Sequence, residues 1–488
     1  MTGMSEATAT DMPGISSAPM PFTGPELCGY PARTVIDLLV RREIAPHDLL
    51  DACEARVAAV EPAINALPIT CFDRARGWPV AEQSLLRGLP IAIKDLTDIA
   101  GVRSTYGTPG LANNIPVTSD PLVERLEANG GIVVGHSNVP EFGAGGNTFN
   151  AVFGATRNPY DTRMNAGGSS GGAAAALAAG EVWLSHGSDL AGSLRTPAAY
   201  CGVVGLRPSP GRCGGGPAAA PYLTIGVQGP MARDVTDCAL FLDAMVGADI
   251  RQPLSLPAPE TGFRAALEGW EGDRPKLASL LDVPPLGLME PVIRTGLEAT
   301  LRLAERSGAR ISTPQPDLSA LPHLFAVMRG HFFATLFGTM PDAIRGHFKP
   351  TLAQNIAFGE VLAITDIWEA ERARGMLAAA IGAILSDADA LVLPVVGLEP
   401  LPVEVEYPTA VAGVPMTDYI DWLRGSYLAS VLGLPALVIP IGLSPSGLPM
   451  GIQLIGRPYG EAALLRVGRW LEACLDLCCR PIDPVQRH

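Results

Sequence analysis

The chain has 488 residues, of which 48% are hydrophobic and 17% charged, so it can bury a large core. Its net charge of −14 offers no basic stripe, which excludes nucleic acid and anionic membrane as expected partners. Nine cysteines, odd in number and scattered, exclude a secreted disulfide framework, and without a C-x-x-C pair they give no zinc signature.

Residues 1–26 lack a basic start followed by an apolar core, so a flexible N-terminal segment and no signal peptide are expected, and the protein is expected to be soluble and cytoplasmic. Leu49, Leu50, Cys53, Val57 and Val60 share one face of a predicted helix. Residues 90–94 read as a strand. Asp120 and Pro121 open a helix that Gly130 or Gly131 closes, ahead of the strand Ile132-Val133-Val134. Strand, helix and strand in that order indicate an α/β sheet with covering helices. Further on, 207–221 is a glycine- and proline-rich loop and 234–246 a capped helix. The apolar run 427–443 is interrupted by Gly433, Pro435 and Pro440, which favours a buried strand over a membrane span. Cys474 and Cys478 stand at helical spacing, with Cys479 beside them, and read as a buried apolar face more readily than as a metal site.

The segment 167–198 carries the chemistry. Its first half, Gly167-Gly168-Ser169-Ser170-Gly171-Gly172, is a glycine-rich turn running into an alanine-rich helix, whose first N–H groups give a site positive partial charge. Its second half, Gly187-Ser188-Asp189-Leu190-Ala191-Gly192-Ser193, packs small residues just before a serine, which suits a nucleophile beside exposed amides. Either half alone is equally readable as a tight structural loop. Lys94, one of three lysines, lies in the apolar run Leu89-Pro90-Ile91-Ala92-Ile93-Lys94. Lowering a lysine pKa from about 10.4 to about 7 requires roughly 4.6 kcal/mol, a shift that deep burial supplies. Alternation places Asp95 on the opposite face, where its carboxylate need not undo that shift. The alternative is a lysine snorkelling from a strand end.

Taken together, 167–198 resembles the defining signature of the amidase signature family, serine amidohydrolases with a Ser–cisSer–Lys triad. Pro90-Ile91-Ala92-Ile93-Lys94-Asp95 is similar to that family's lysine motif. Asn138-Val139-Pro140-Glu141-Phe142, the stretch 145–159 and Gly447-Leu448-Pro449-Met450-Gly451-Ile452-Gln453-Leu454 match as well. The resemblance implies an α/β fold with a large mixed sheet covered by helices on both faces. It implies Ser193 as nucleophile, Ser169 as bridging serine after a cis bond from Gly168, and Lys94 as base. The backbone amides of Leu190, Ala191, Gly192 and Ser193 would form the oxyanion hole. Ser170 would orient the bridging serine or Lys94, while Asp189 and Arg195 would brace the nucleophile loop. Gly145 and Gly146 are expected at the substrate. No cofactor or metal is implied.

Two residues depart from the family pattern. Ala191 stands where glycine is common and fits if its φ is negative. His136 stands where lysine is frequent and reads as a structural substitution. Because Lys94, Ser169 and Ser193 must meet, 27–488 is expected to be one domain. Within it, 250–386 matches the family least and forms a variable helical region shaping the pocket. There the run from Leu324 to Phe333 supplies Phe325, Met328 and Phe332 as candidate wall residues, although such runs usually pack inside.

The expected reaction is hydrolysis of the C–N bond of apolar aryl or alkyl amides, anilides or carbamates through an acyl-enzyme, with ester cleavage as a side activity. A homodimer is left open. Three alternatives stand beside it. One is the glutaminase subunit of a tRNA-dependent amidotransferase, which needs a partner and a polar pocket. Another is an α/β-hydrolase-type esterase, because Gly167-Gly168-Ser169-Ser170-Gly171 satisfies G-x-S-x-G, although His323, His331 and His347 lack a triad context. The third is a non-catalytic binding relative.

Overall fold

The computed structural model describes residues 21–214, 217–268, 274–477 and 479–487. Eleven strands form one sheet: β1 (Ile69–Thr70), β2 (Leu89–Lys94), β3 (Gly131–Ser137), β4 (Leu184–Asp189), β5 (Val204–Arg207), β6 (Val227–Ala232), β7 (Lys276–Ser279), β8 (Arg310–Ser312), β9 (Ala390–Pro394), β10 (Ala436–Leu443) and β11 (Pro449–Ile455). Their order across the sheet is β1-β3-β2-β4-β6-β5-β10-β11-β9-β7-β8. Strands β3, β2 and β4 run parallel, the neighbours from β4 to β9 pair antiparallel, and β9, β7 and β8 are parallel again. The sheet is therefore mixed, as expected.

Strand alternation divides the apolar side chains between two layers. Leu277, Val392, Leu437 and Leu454 enter one core, and their chain neighbours Ala278, Leu391, Ala436 and Ile455 enter the other. Helices Pro46–Ile64, Val235–Met245, Pro291–Arg306 and Glu461–Leu475 pack into the first core. Helices Leu321–Phe337, Pro350–Glu360 and Ile364–Asp387 pack into the second. Each fully buried leucine contributes about 1.5–3 kcal/mol to this arrangement.

Local chemistry sets the element ends that matter for the site. The Asp120 carboxylate accepts the Leu122 N–H at 2.8 Å and Pro121 occupies the first turn of helix Pro121–Ala128. Gly130 then turns the chain into β3. Asp234 caps helix Val235–Met245 by accepting the Asp237 N–H at 2.8 Å. Leu49, Leu50, Cys53, Val57 and Val60 are all buried, as the helical spacing requires.

Some details differ from the sequence expectation. In 427–443 only the second half is strand; Tyr427–Leu432 is a short helix, and Gly433 at φ 64° turns it into β10. The region 250–386 is mainly helical but also supplies β7 and β8, whose short parallel strands complete one end of the sheet. Residues 1–20 and Cys478 lie outside the described residues. From 21 to 26 the chain is held, because the Asp483 carboxylate accepts both the backbone N–H and the hydroxyl of Thr23 at 2.9 and 2.8 Å. No helix among the described residues is long and apolar enough to cross a membrane.

Candidate active site

Lys94 ends β2 in the middle of the parallel part of the sheet, with its side chain sealed from solvent. The β2–β4 register puts Ala92 beside Ser185, which brings the Lys94 amine level with Ser188 near the end of β4. Ser169 and Ser170 arrive from the other direction, at the start of helix Gly171–Ala179. All nine residues of that helix are buried, which explains its glycine and alanine composition.

Lys94 Nζ lies 2.7 Å from Ser169 Oγ, 2.8 Å from Ser170 Oγ and 3.0 Å from Ser188 Oγ. The Ser170 hydroxyl donates in turn to the Ser188 carbonyl at 3.3 Å, so its oxygen faces Lys94 as an acceptor. A neutral amine has two N–H groups and one lone pair, which three hydroxyl neighbours can satisfy. Burial pushes the Lys94 amine down from 10.5 to about 7, against the opposing pull of the Asp189 carboxylate. Asp95 turns away: its carboxylate accepts the Thr105 N–H and hydroxyl at 2.8 and 2.5 Å, and burial raises it to about 7.

The bond Gly168–Ser169 is cis. A Cβ at Gly168 would stand 2.9 Å from the Gly145 carbonyl oxygen, so the 145–147 strip lies directly against the serine turn. Ser193 joins the cluster through its backbone, its carbonyl accepting the Ser170 N–H at 3.1 Å. Among the described residues its hydroxyl makes no hydrogen bond to Ser169 or Lys94.

The loop that carries Ser193 is organised by Asp189. Its carboxylate takes Arg195 Nε at 2.9 Å and Nη2 at 2.8 Å, Arg207 Nη1 at 3.1 Å, and the N–H groups of Gly192 and Leu194 at 3.1 Å each. Burial opposes its ionisation, but Arg195 and Arg207 outweigh burial and hold it well below the usual carboxylate range. Arg195 reaches on to Gln453 Oε1 at 2.6 Å and Ser430 Oγ at 3.1 Å, fixing the loop to β11 and helix Tyr427–Leu432.

This network corrects one expectation. The Gly192 N–H is committed to Asp189 and does not join the other amides, whereas those of Leu190, Ala191 and Ser193 donate to no group among the described residues. Gly192, at φ 94°, is also the left-handed residue of the loop, and Ala191 is not, so the methyl group at 191 carries no backbone strain.

The candidate pocket residues separate. Phe325 is core, fully buried and stacked on Tyr427 at 3.8 Å between ring centroids, because helix Leu321–Phe337 is apolar nearly all round. Phe332 is also buried in that core, but its ring and Leu190 Cδ1 both approach Gly226, which links it to the Ser193 loop. Met328 packs half-buried against the same core. Gly146 is covered by the Trp422 ring, 2.3 Å from where its Cβ would start.

Ser188, Arg207 and His186 belong to the site without a sequence signal of their own. His186 Nδ1 accepts the Lys94 backbone N–H at 3.3 Å and Nε2 lies 2.8 Å from Gln228 Oε1, while burial keeps the ring neutral by pushing it to about 3. His136 is held between Ile93 O at 3.3 Å and Ser104 Oγ at 3.0 Å, a structural role. None of His323, His331 and His347 bonds to either serine among the described residues, so the G-x-S-x-G segment has no histidine partner.

Residues 48–465 match the Amidase family. An acylamidase of Rhodococcus erythropolis is 33% identical over 446 residues, covering 88% of this chain and 92% of that protein. A glutamyl-tRNA(Gln) amidotransferase subunit from Roseiflexus sp. (strain RS-1) is 32% identical over 488 residues, covering 92% and 97%. In three dimensions the chain resembles 6-aminohexanoate cyclic dimer hydrolase (TM-score 0.82, 25% identity, 93% of this chain and 98% of that one). It is equally similar to a bacterial aryl acylamidase of the amidase signature family (TM-score 0.82, 25% identity, 91% and 96%). The chain therefore belongs to the amidase signature family, whose members act on small amide substrates.

Proposed function

We propose that the protein is a stand-alone serine amidase in which Ser193 forms the acyl-enzyme, Ser169 relays the proton and Lys94 is the base. One observation carries this reading: a lysine sealed in the sheet, its amine 2.7 Å from Ser169 Oγ and brought to about 7 by burial. With Ser170 Oγ and Ser188 Oγ taking its two N–H groups, the lone pair is directed at the Ser169 proton. Ser169 then accepts the proton of Ser193, whose oxygen attacks the substrate carbonyl. The open link between Ser193 and Ser169 is of the kind that substrate binding tightens. The N–H groups of Leu190, Ala191 and Ser193, which donate to no group among the described residues, suit the negative charge that develops on the carbonyl oxygen. Ser169 returns the proton to the leaving amine, and water retraces the path to free the acid.

Phe332, Met328 and Leu190 belong to one apolar cluster that reaches the Ser193 loop through Leu190, which supports aryl or alkyl amides, anilides and carbamates over free glutamine as substrates. The continuous sheet from β1 to β11 supports reading 27–488 as one domain. The test is a panel of aryl amides, aliphatic amides, carbamates, esters and glutamine against wild type, Ser193→Ala and Lys94→Ala. Cleavage of apolar amides by wild type, lost in both variants, is the expected result. Glutamine hydrolysis that rises when an amidotransferase partner is added would replace this reading with the glutaminase one.

A further inference from the structure

Five arginines among the described residues are at most 4% exposed: Arg56, Arg195, Arg207, Arg233 and Arg329. Arg56 pairs with Asp483, and Arg195 and Arg207 pair with Asp189. Arg233 is held by the main-chain carbonyls of Cys28 and Tyr30. Arg329 has neither kind of partner. Its Nε donates to Asn355 Oδ1 at 3.0 Å and its Nη2 to the Tyr419 hydroxyl at 2.6 Å, and among the described residues no carboxylate lies within 4.0 Å. Nη1 makes no hydrogen bond to the described residues, yet it is not one of the sealed interior atoms. The Phe333 and Tyr419 rings flank the guanidinium, 4.3 and 5.5 Å away.

Of the nearby charges, Lys349 and Glu406 pair with each other, while Glu141 keeps one buried carboxylate oxygen, Oε1, without a hydrogen-bond partner among the described residues. Lys349 Nζ pairs with Glu406 at 2.7 Å, Thr351 donates to the same carboxylate at 2.8 Å, and Glu141 accepts the Lys349 backbone N–H at 2.7 Å. Two chains of contact lead from Arg329 towards the serine cluster. Arg329 precedes Phe332 by three residues on one helix face, and Phe332 closes on Gly226 beside Leu190. On the opposite side, the Tyr419 carbonyl accepts Trp422 Nε1 at 3.0 Å, and Trp422 covers Gly146.

A buried charge without a counter-ion is costly, and such groups concentrate at functional sites. We propose that Arg329 recognises a carboxylate carried by an otherwise apolar amide substrate. The guanidinium fork matches a carboxylate in shape and charge, and the Phe333 and Tyr419 rings that flank it limit its movement. The proposal rests on the amidase reading above and adds an anionic pole to its substrate.

Two matched pairs of substrates test it: pentanoic anilide with glutaric acid mono-anilide, and acetanilide with para-acetamidobenzoate. They place the carboxylate on the acyl and the amine arm respectively. Wild type is expected to show a KM lower by about 10- to 100-fold for the carboxylated member of at least one pair. Arg329→Met should abolish that preference while leaving the neutral member's kcat/KM within about twofold. Arg329→Lys, with charge but no fork, should keep only part of it and serves if the methionine variant does not fold. Absence of any preference in wild type, an undiminished preference in Arg329→Lys, or equal losses on both members in folded Arg329→Met overturns the assignment. A wild type that cleaves neither member overturns the amidase reading instead. In that event calorimetric binding of glutaric acid mono-anilide to wild type and Arg329→Met still decides the role of Arg329.

Discussion

Replacing Lys94 by methionine should change how stability depends on pH, by an amount set by the burial of the amine. In the folded protein burial takes this group from 10.5 to about 7. At about 1.4 kcal/mol per pH unit that is roughly 5 kcal/mol of free energy favouring the neutral form. Between those two values the unfolded chain holds the proton and the folded one does not, so stability rises with pH across the window and falls as pH drops from above 10 towards 7. From pH 7 to pH 9.5 the contribution of this one side chain is about 3 kcal/mol, because half of the folded amine is already charged at the lower end. Lys94→Met lacks the term, while groups common to both proteins, Asp95 and Glu472 among them, cancel in the comparison. Urea midpoints of both proteins at the two pH values give the difference directly. Wild type should gain about 3 kcal/mol more than the variant on going to pH 9.5. Parallel pH dependence in the two proteins would refute the claim that Lys94 is neutral in the fold, and with it the base assignment.

The remaining predictions concern activity and the loop that presents Ser193. The pH profile of kcat/KM should fall about tenfold per unit below a pKa of about 7, and Lys94→Arg should be inactive at every pH, since a guanidinium cannot give up its proton. Asp189→Asn strands the buried Arg195 and Arg207, so chemical denaturation should show a loss of about 3–5 kcal/mol together with loss of turnover. Gly192→Ala forces a side chain into φ 94° with its Cβ 2.2 Å from Ser426 Oγ, so thermal unfolding and kcat should both drop. Ala191→Gly should leave kcat/KM within about twofold, because residue 191 needs no left-handed conformation.

How much of this was legible in the sequence follows from where each interaction originates. Lys94 and Ser169 stood out because an isolated lysine in an apolar strand and a glycine-flanked serine pair are local anomalies. The helices opened by Asp120 and Asp234 were equally local, since a cap and its N–H lie within three residues. Arg207 and His186 were hidden because their roles depend on sheet order: β5 and β4 are separated by β6, and only that placement carries Arg207 to Asp189. The Gly192 amide could not be assigned from spacing, because its direction is set by the Asp189 carboxylate three residues earlier. Phe325 and Arg329 share one apolar run, yet one is sealed in the core and the other keeps a nitrogen, Nη1, without a hydrogen bond among the described residues. Helical phase alone does not separate them, because both lie on the buried faces of a helix that exposes only His323, His331 and Thr335. The helix Tyr427–Leu432 is too short for periodicity to distinguish it from the strand that follows.

Mass spectrometry of the protein quenched during turnover of a slowly deacylated carbamate or ester tests the central claim most directly. An acyl adduct is expected on the peptide containing Ser193 in wild type, and none in Ser193→Ala or Lys94→Met. An adduct carried by Ser169, or one that forms on Ser193 at an undiminished rate without the lysine, would contradict it.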